Sequence, residues 1–282
     1  MKGSYVVRNL RQEEMEQLTA LTASEGWNPG LKDGAAFFKA DPDGFFVGLL
    51  DGVPIAYIAA VNYKDQYCFV GLYIVKEGYR SQGYGYTIWQ HALRRLGALV
   101  TGLDGVPAQV ENYKKSGFDY AFRQMRFATT ALAAKKSENI HLMAKEMMDL
   151  VTAYDTLVFG TSRIEFLKAW LSMENAVTFV AGADDGMIEG YAVLRKCRQG
   201  YKIGPLFADN DQVAEQLFLA CNEKLPAEES IYLDVPEVNA SALALAKKYN
   251  MQFVFETARM YKSGVPVFPL EKVFGVTSFE LG

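Results

Sequence analysis

The chain repeats itself at an offset of 133 residues, and this repeat limits the possible folds more than any other feature. Lys114-Lys115-Ser116-Gly117-Phe118-Asp119-Tyr120-Ala121-Phe122 lines up with Lys247-Lys248-Tyr249-Asn250-Met251-Gln252-Phe253-Val254-Phe255. The same offset sets Phe46-Val47 on Phe179-Val180 and Asp51 on Asp184. Leu103-Asp104-Gly105-Val106-Pro107 is echoed, at a slightly shorter offset, by Leu233-Asp234-Val235-Pro236. Matches that keep one order imply a duplicated unit of about 130 residues. A chain of 282 residues holds two such units. The expected domains are 1–130 and 138–282, with the small, polar stretch Thr129–Ser137 as linker or start of a connecting helix.

Composition narrows the chemistry. Half of the residues are apolar and 22% charged, so each unit can bury a core. The formal net charge is −4, without the basic excess that a nucleic-acid partner requires. The charge is uneven: residues 1–130 carry net +1 and residues 131–282 net −5. Cys68, Cys197 and Cys221 form no CxxC pair, which argues against a zinc ribbon or a disulfide framework. Two histidines, His91 and His141, exclude a multi-histidine metal site, and no metal is expected. No apolar run reaches the ~18 residues of a membrane span. Met1–Leu10 has no apolar signal core, so a soluble cytoplasmic protein without a membrane partner is expected.

Periodicity gives alternating strands and helices, hence an α/β (α+β) fold. In the first copy, strands are expected at Ser4–Leu10, Phe45–Leu50, Pro54–Asn62, Tyr67–Val75, Leu99–Leu103 and Phe118–Phe127. Helices are expected at Gln12–Glu25, Leu31–Lys39, Tyr86–Leu96 and Pro107–Ser116.

One segment carries chemistry. The apolar strand ending at Val75 runs into Lys76-Glu77-Gly78-Tyr79-Arg80-Ser81-Gln82-Gly83-Tyr84-Gly85, and a helix follows at once. Unpaired amides at a helix N-terminus, with the helix dipole behind them, form an anion cradle. Gly83 and Gly85 let backbone approach a phosphate, and Arg80 adds a positive charge. The segment lacks the GxxxxGK[ST] of a P-loop and the GxGxxG of a dinucleotide site. It reads R-x-x-G-x-G, followed downstream by Tyr113-Lys114-Lys115-Ser116-Gly117-Phe118.

These two motifs, in strand–loop–helix order, resemble the GNAT superfamily, the Gcn5-related N-acetyltransferases. The intact first copy, degenerate second copy and Phe274–Glu280 tail are similar to the bacterial tandem acetyltransferases of the YitH type. The resemblance implies a mixed central sheet flanked by helices in each copy. It implies acetyl-CoA as acyl donor, with amides from Arg80, Ser81, Gln82, Gly83, Tyr84 and Gly85 on its pyrophosphate. It implies that backbone groups of Tyr73, Ile74 and Val75 pair with the pantetheine arm and polarise the thioester carbonyl. That arm is expected in a gap where Tyr67–Val75 splays from Leu99–Leu103. Tyr113 takes the role of acid toward the departing thiolate, and Asn112 beside it joins the cofactor residues. The family's N-x-x-A is absent ahead of Tyr113, where Val106 and Gln109 stand. In the second copy Tyr201–Phe207 takes the place of the phosphate loop, Asn239 and Ala242 keep N-x-x-A, Ala246 replaces the tyrosine and Asn250 the capping glycine.

The implied reaction is direct attack of a primary amine on the thioester. Such an amine must lose a proton, and Asp104, at the C-terminal end of a strand, is the leading base, ahead of Glu77 and Glu25. Glu25, Trp27, Asn28, Tyr63 and Tyr67 are expected to line the acceptor site, which faces the second domain. The expected acceptor is a small molecule. Two alternatives stay open: a non-catalytic CoA sensor, and a protein N-terminus or lysine acetyltransferase that docks its partner through the second domain.

Overall fold

The computed structural model describes residues 3–64, 66–132, 139–182 and 187–282. Asp184 and residues 133–137 of the expected linker lie outside them. The first copy runs β1 (Tyr5–Asn9), α1 (Met15–Ser24), α2 (Asp33–Ala40), β2 (Phe45–Leu50), β3 (Val53–Tyr63), β4 (Tyr67–Val75), α3 (Tyr84–Leu96), β5 (Thr101–Gly105), α4 (Val110–Lys114) and β6 (Asp119–Thr130). The second runs β7 (Ile140–Leu142), α5 (Met148–Phe159), α6 (Ile164–Leu171), β8 (Ala176–Gly182), β9 (Ile188–Lys196), β10 (Tyr201–Ala208), α7 (Asp211–Glu223), β11 (Ser230–Pro236), α8 (Ala240–Lys248), β12 (Gln252–Lys262) and β13 (Val273–Gly275). β2 and β4 have their expected bounds. α3 starts two residues earlier than its apolar period suggests, which puts Tyr84 and Gly85 in its first turn. No helix among the described residues is long and apolar enough to cross a membrane.

All strands join one sheet, in the order β1-β2-β3-β4-β5-β12-β6-β11-β10-β9-β8-β7, with β13 beside β10. The order is palindromic by copy except at its centre, where the copies exchange the last strands of the repeated unit, β6 and β12. β12 lies between β5 and β6, and β6 lies between β12 and β11. Thus β6 does not close the first copy against β5, and the boundary at residue 130 falls at the end of a strand bonded on both edges to the second copy.

Two buried ion pairs mark the exchange. Arg259 on β12 stands opposite Asp104 on β5, with both guanidinium–carboxylate contacts at 2.7 Å. Arg126 on β6 stands opposite Asp234 on β11, with both at 2.6 Å. The aspartates belong to the repeated Leu-Asp motif, and the arginines are 133 residues apart. Each arginine also lies over a phenylalanine of the other copy, Arg126 over Phe255 and Arg259 over Phe122, again at the repeat offset. A bidentate guanidinium–carboxylate pair fixes both position and orientation.

The chain's last ten residues, 273–282, are buried. They run across the centre of the sheet and press on the equivalent glycines of the two copies. A Cβ on Gly204 would collide with the backbone oxygen of Thr277, and one on Gly71 with that of Glu280. Tyr63 donates to the carbonyl of Leu281 at 2.9 Å. One core cluster consequently draws on both copies and the tail, with Phe37 stacked on Trp170 between α2 and α6 at 5.7 Å.

Removing one member of a buried pair leaves the other charge desolvated and unpaired. Arg259→Met is expected to destabilise the chain by about 3–5 kcal/mol, and adding Asp104→Leu to recover most of that loss. Denaturant midpoints of the two variants check this. A single variant of wild-type stability would show that the pair does not hold the strands together.

Candidate active site

β4 and β5 run parallel and pair at only three positions, Cys68–Thr101, Phe69–Gly102 and Val70–Leu103. Beyond them the strands separate, as the resemblance implied. β4 remains paired to β3 on its other edge, through Tyr57–Ile74 and Ala56–Val75. Between Gly71 and Ile74 it carries one extra residue, with Leu72 at φ +51°. This bulge turns the strand away from β5. Gly71 inside a strand was its only sequence signal.

A cavity of about 670 Å³ fills the gap. At one end stands the loop before α3. Gly83 caps that helix with φ +89° and Ser81 has φ +60°, left-handed values that suit glycine at the cap. No side chain caps the helix and no acidic residue stands in its first turn, so its leading amides face the cavity end unopposed. A Cβ on Gly85 would lie 2.6 Å from the Tyr73 hydroxyl, so any larger residue would have to push the Tyr73 and Val75 side chains aside. Arg80 braces the loop, donating Nε to the Val75 carbonyl at 2.8 Å and pairing with Glu25. Gln82 and Tyr84 hold the loop's backbone, through Gln82 Nε2 to Gly78 and the Tyr84 carbonyl to Tyr5.

Tyr113 lines the same cavity, packed on Trp89 at 5.4 Å and set edge-on against Gly105. Burial raises its hydroxyl pKa above the ordinary value, and the neighbouring Tyr73 adds to the rise. At neutral pH it therefore holds its proton. Asn112 also lines the cavity and donates to Gln109 at 2.7 Å.

Residues 7–118 match the model of the Acetyltransferase (GNAT) family, and residues 151–275 that of an Acetyltransferase (GNAT) domain. Over 271 residues the chain is 32% identical to the holothin acyltransferase of Pseudoalteromonas sp. (strain SANK 73390), spanning 96% of this chain and 92% of that one. The chain belongs to the GNAT acyltransferase family. Among solved structures, its fold is similar to that of a putative acetyltransferase from Pyrococcus horikoshii, with a TM-score of 0.84 at 24% identity over 99% of this chain and 96% of that one. A tandem GNAT protein from the clavulanic acid biosynthesis pathway gives a TM-score of 0.66 at 14% identity, covering 93% of this chain and 99% of that one.

The other end of this GNAT cavity is built by both copies. Glu25 and Trp27 line it, joined by Arg126, Phe255, Thr257, Phe279 and Glu280. Arg126 donates to the Trp27 carbonyl at 3.0 Å and lies over Phe255 and Phe279. Three expected acceptor residues stand elsewhere. Asn28 turns to the second copy, exchanging hydrogen bonds with the backbone of Gln199. Tyr63 and Tyr67 are buried in the aromatic core beneath the tail, against Phe159. Apolar surroundings and partners already on the chain withdraw all three from the cavity. Asp104 does line it, but both its oxygens accept from Arg259, and burial raises its pKa against the pull of that arginine. That carboxylate is committed to the strand exchange, which corrects its reading as the base. Arg126 and Phe255 were legible at the repeat offset. Glu280 offered only an isolated acidic residue in an apolar tail.

Among the described residues the second copy lacks both parts of the site, for a reason that corrects the sequence reading. Tyr201–Phe207 is not its phosphate loop; it belongs to β10, the counterpart of β4. The loop itself shrinks to Asp209-Asn210, where Asn210 caps α7 through the Val213 amide and Asp209 places a carboxylate before the helix. β10 and β11 also part after Ile203–Leu233, but β13 occupies the gap, paired to β10. Asn239, from the retained N-x-x-A, donates to the carbonyls of Leu270, Glu271 and Val273 and holds that segment in place.

Gly83→Val forces a β-branched residue to positive φ at the cradle. It is expected to raise the CoA dissociation constant about tenfold or more, read by calorimetric titration. An unchanged affinity would remove the anion-cradle assignment.

Proposed function

We propose that the protein is an N-acetyltransferase that uses acetyl-CoA to acylate a small primary amine held between the two copies. The observation that carries this reading is a single cavity joining three elements: an uncapped helix N-terminus, an unpaired β4 edge and a chamber walled by both copies. The holothin acyltransferase with which the chain aligns over nearly its whole length supports acyl transfer as the activity. The cavity volume, about 670 Å³, suits a small acceptor beside the donor arm rather than a docked protein.

When bound, acetyl-CoA supplies an activated acyl thioester. The residues before and within the first turn of α3 fit its phosphates, because no side chain caps the leading amides, no acidic residue stands among them and Gly83 holds the left-handed turn before them. The unpaired edge of β4 from Gly71 to Val75 offers backbone groups to an extended chain and a donor for developing negative charge on oxygen. Tyr113, kept protonated by burial, holds a proton for the leaving sulfur. Tail and second copy close the acceptor end and exclude water from it.

Tyr113→Phe is expected to lower kcat about 10²-fold or more, with little change in the KM for acetyl-CoA. Thiol release over a panel of amines, polyamines, amino sugars and peptides checks this. Full activity of the variant across pH would discard Tyr113 as the acid. Tight CoA binding without turnover of any amine would favour a sensor.

A further inference from the structure

We infer that the Glu280 carboxylate receives the ammonium group of the acceptor and takes its proton, so that the acceptor is a primary amine on an apolar or aromatic body that arrives as a cation. This deepens the acyl-transfer reading above and rests on it. The position of Glu280 comes from the tail, whose backbone presses on Gly71, the first β4 residue beyond the last β4–β5 pair. Glu280 therefore stands where the two strands open, beside the backbone that would hold the thioester. It is only 5% exposed and lines the cavity, yet among the described residues its carboxylate accepts no hydrogen bond and joins no ion pair.

The surrounding charges sharpen the point. Arg126 is matched by Asp234, Arg259 by Asp104, Arg195 by Asp33 and Arg80 by Glu25. Each of these arginines holds a carboxylate of its own, and Glu280 is in none of the ion pairs, although Arg126, Arg195 and, through Asp234, the buried Lys202 add positive charge nearby. A buried carboxylate outside any ion pair is costly, and a cationic ligand relieves that cost. The cavity is thus polar along its length, anion-binding at α3 and cation-binding at the tail. Thr257 lines the same cavity, and its hydroxyl is buried without a hydrogen-bond partner among the described residues. Trp27, Phe255 and Phe279 supply apolar walls. In the step itself, an ammonium N–H bond breaks and an O–H bond forms on Glu280. The electron pair stays on nitrogen as the nucleophile, and Glu280 later returns the proton to solvent.

The test compares wild type, Glu280→Gln and Glu280→Asp by thiol release from acetyl-CoA, with alkyl amines of pKa about 10 and aromatic amines of pKa about 5. The charged groups facing Glu280 are Asp104, Arg126 and Arg195, with Glu25 and Tyr113 elsewhere on the cavity wall. At pH 7, Glu280→Gln is expected to cut kcat/KM for alkyl amines about 10²–10³-fold. The loss should shrink below about tenfold for aromatic amines, and also as pH rises toward the alkyl amine's own pKa, because these acceptors arrive already neutral. Glu280→Asp should regain part of the rate. Unchanged CoA affinity and melting temperature establish that the variants fold. An equal loss for both amine classes at every pH, or no loss, would overturn the inference while leaving acyl transfer intact. A wild-type protein that acylates no amine would overturn the underlying reading instead.

Discussion

The exchange of last strands, fixed by the ion pairs Asp104–Arg259 and Asp234–Arg126, is the constraint on which the rest of the structure depends. Each pair joins the Leu-Asp strand of one copy, β5 or β11, to the strand that closes the repeated unit in the other, β12 or β6. Because the partners are buried and bidentate, neither strand can shift register without leaving a charge unpaired. The exchange also builds the site. Phe255 and Thr257 wall the first copy's cavity because β12 lies next to β5. The second copy is therefore part of the first copy's cavity, even though among the described residues its own cleft holds no comparable one.

The two copies show how one backbone plan yields an open and a closed cleft. Both have a strand pair that parts after three residues and a bulged strand on one side of the gap. In the first copy, glycines at the helix start and a missing strand leave room for a ligand. In the second, a short acidic loop removes the anion cradle and β13 supplies the hydrogen bonds that a bound chain would otherwise make. The tail that leaves this filled cleft continues across the centre and ends as a wall of the open one, so closure of one site shapes the other.

Much of this was legible in the sequence, and the remainder was not for identifiable reasons. Apolar runs bounded by turn residues gave β2 and β4 their limits, and the cradle was readable because its geometry demands glycine. The phosphate-loop error in the second copy arose because Tyr201–Phe207 contains Gly204 and Pro205, residues that usually mark turns but here sit inside a buried strand. The strand exchange was hidden because alternation tells which face of β6 is buried, not which strand lies beside it. Tyr63 and Tyr67 read as pocket residues since nothing local revealed that the chain's last residues return to cover them. Glu280 acquires its place through contacts with β4, some 200 residues away in sequence, and no local pattern encodes such a contact.

We propose one donor site per chain, in the first copy, the equivalent cleft of the second being filled by β13. Calorimetric titration of the full chain with CoA tests this most directly. The account predicts one CoA bound per chain. A stoichiometry of two would show that the second cleft opens to ligand and would contradict it, as would the absence of binding.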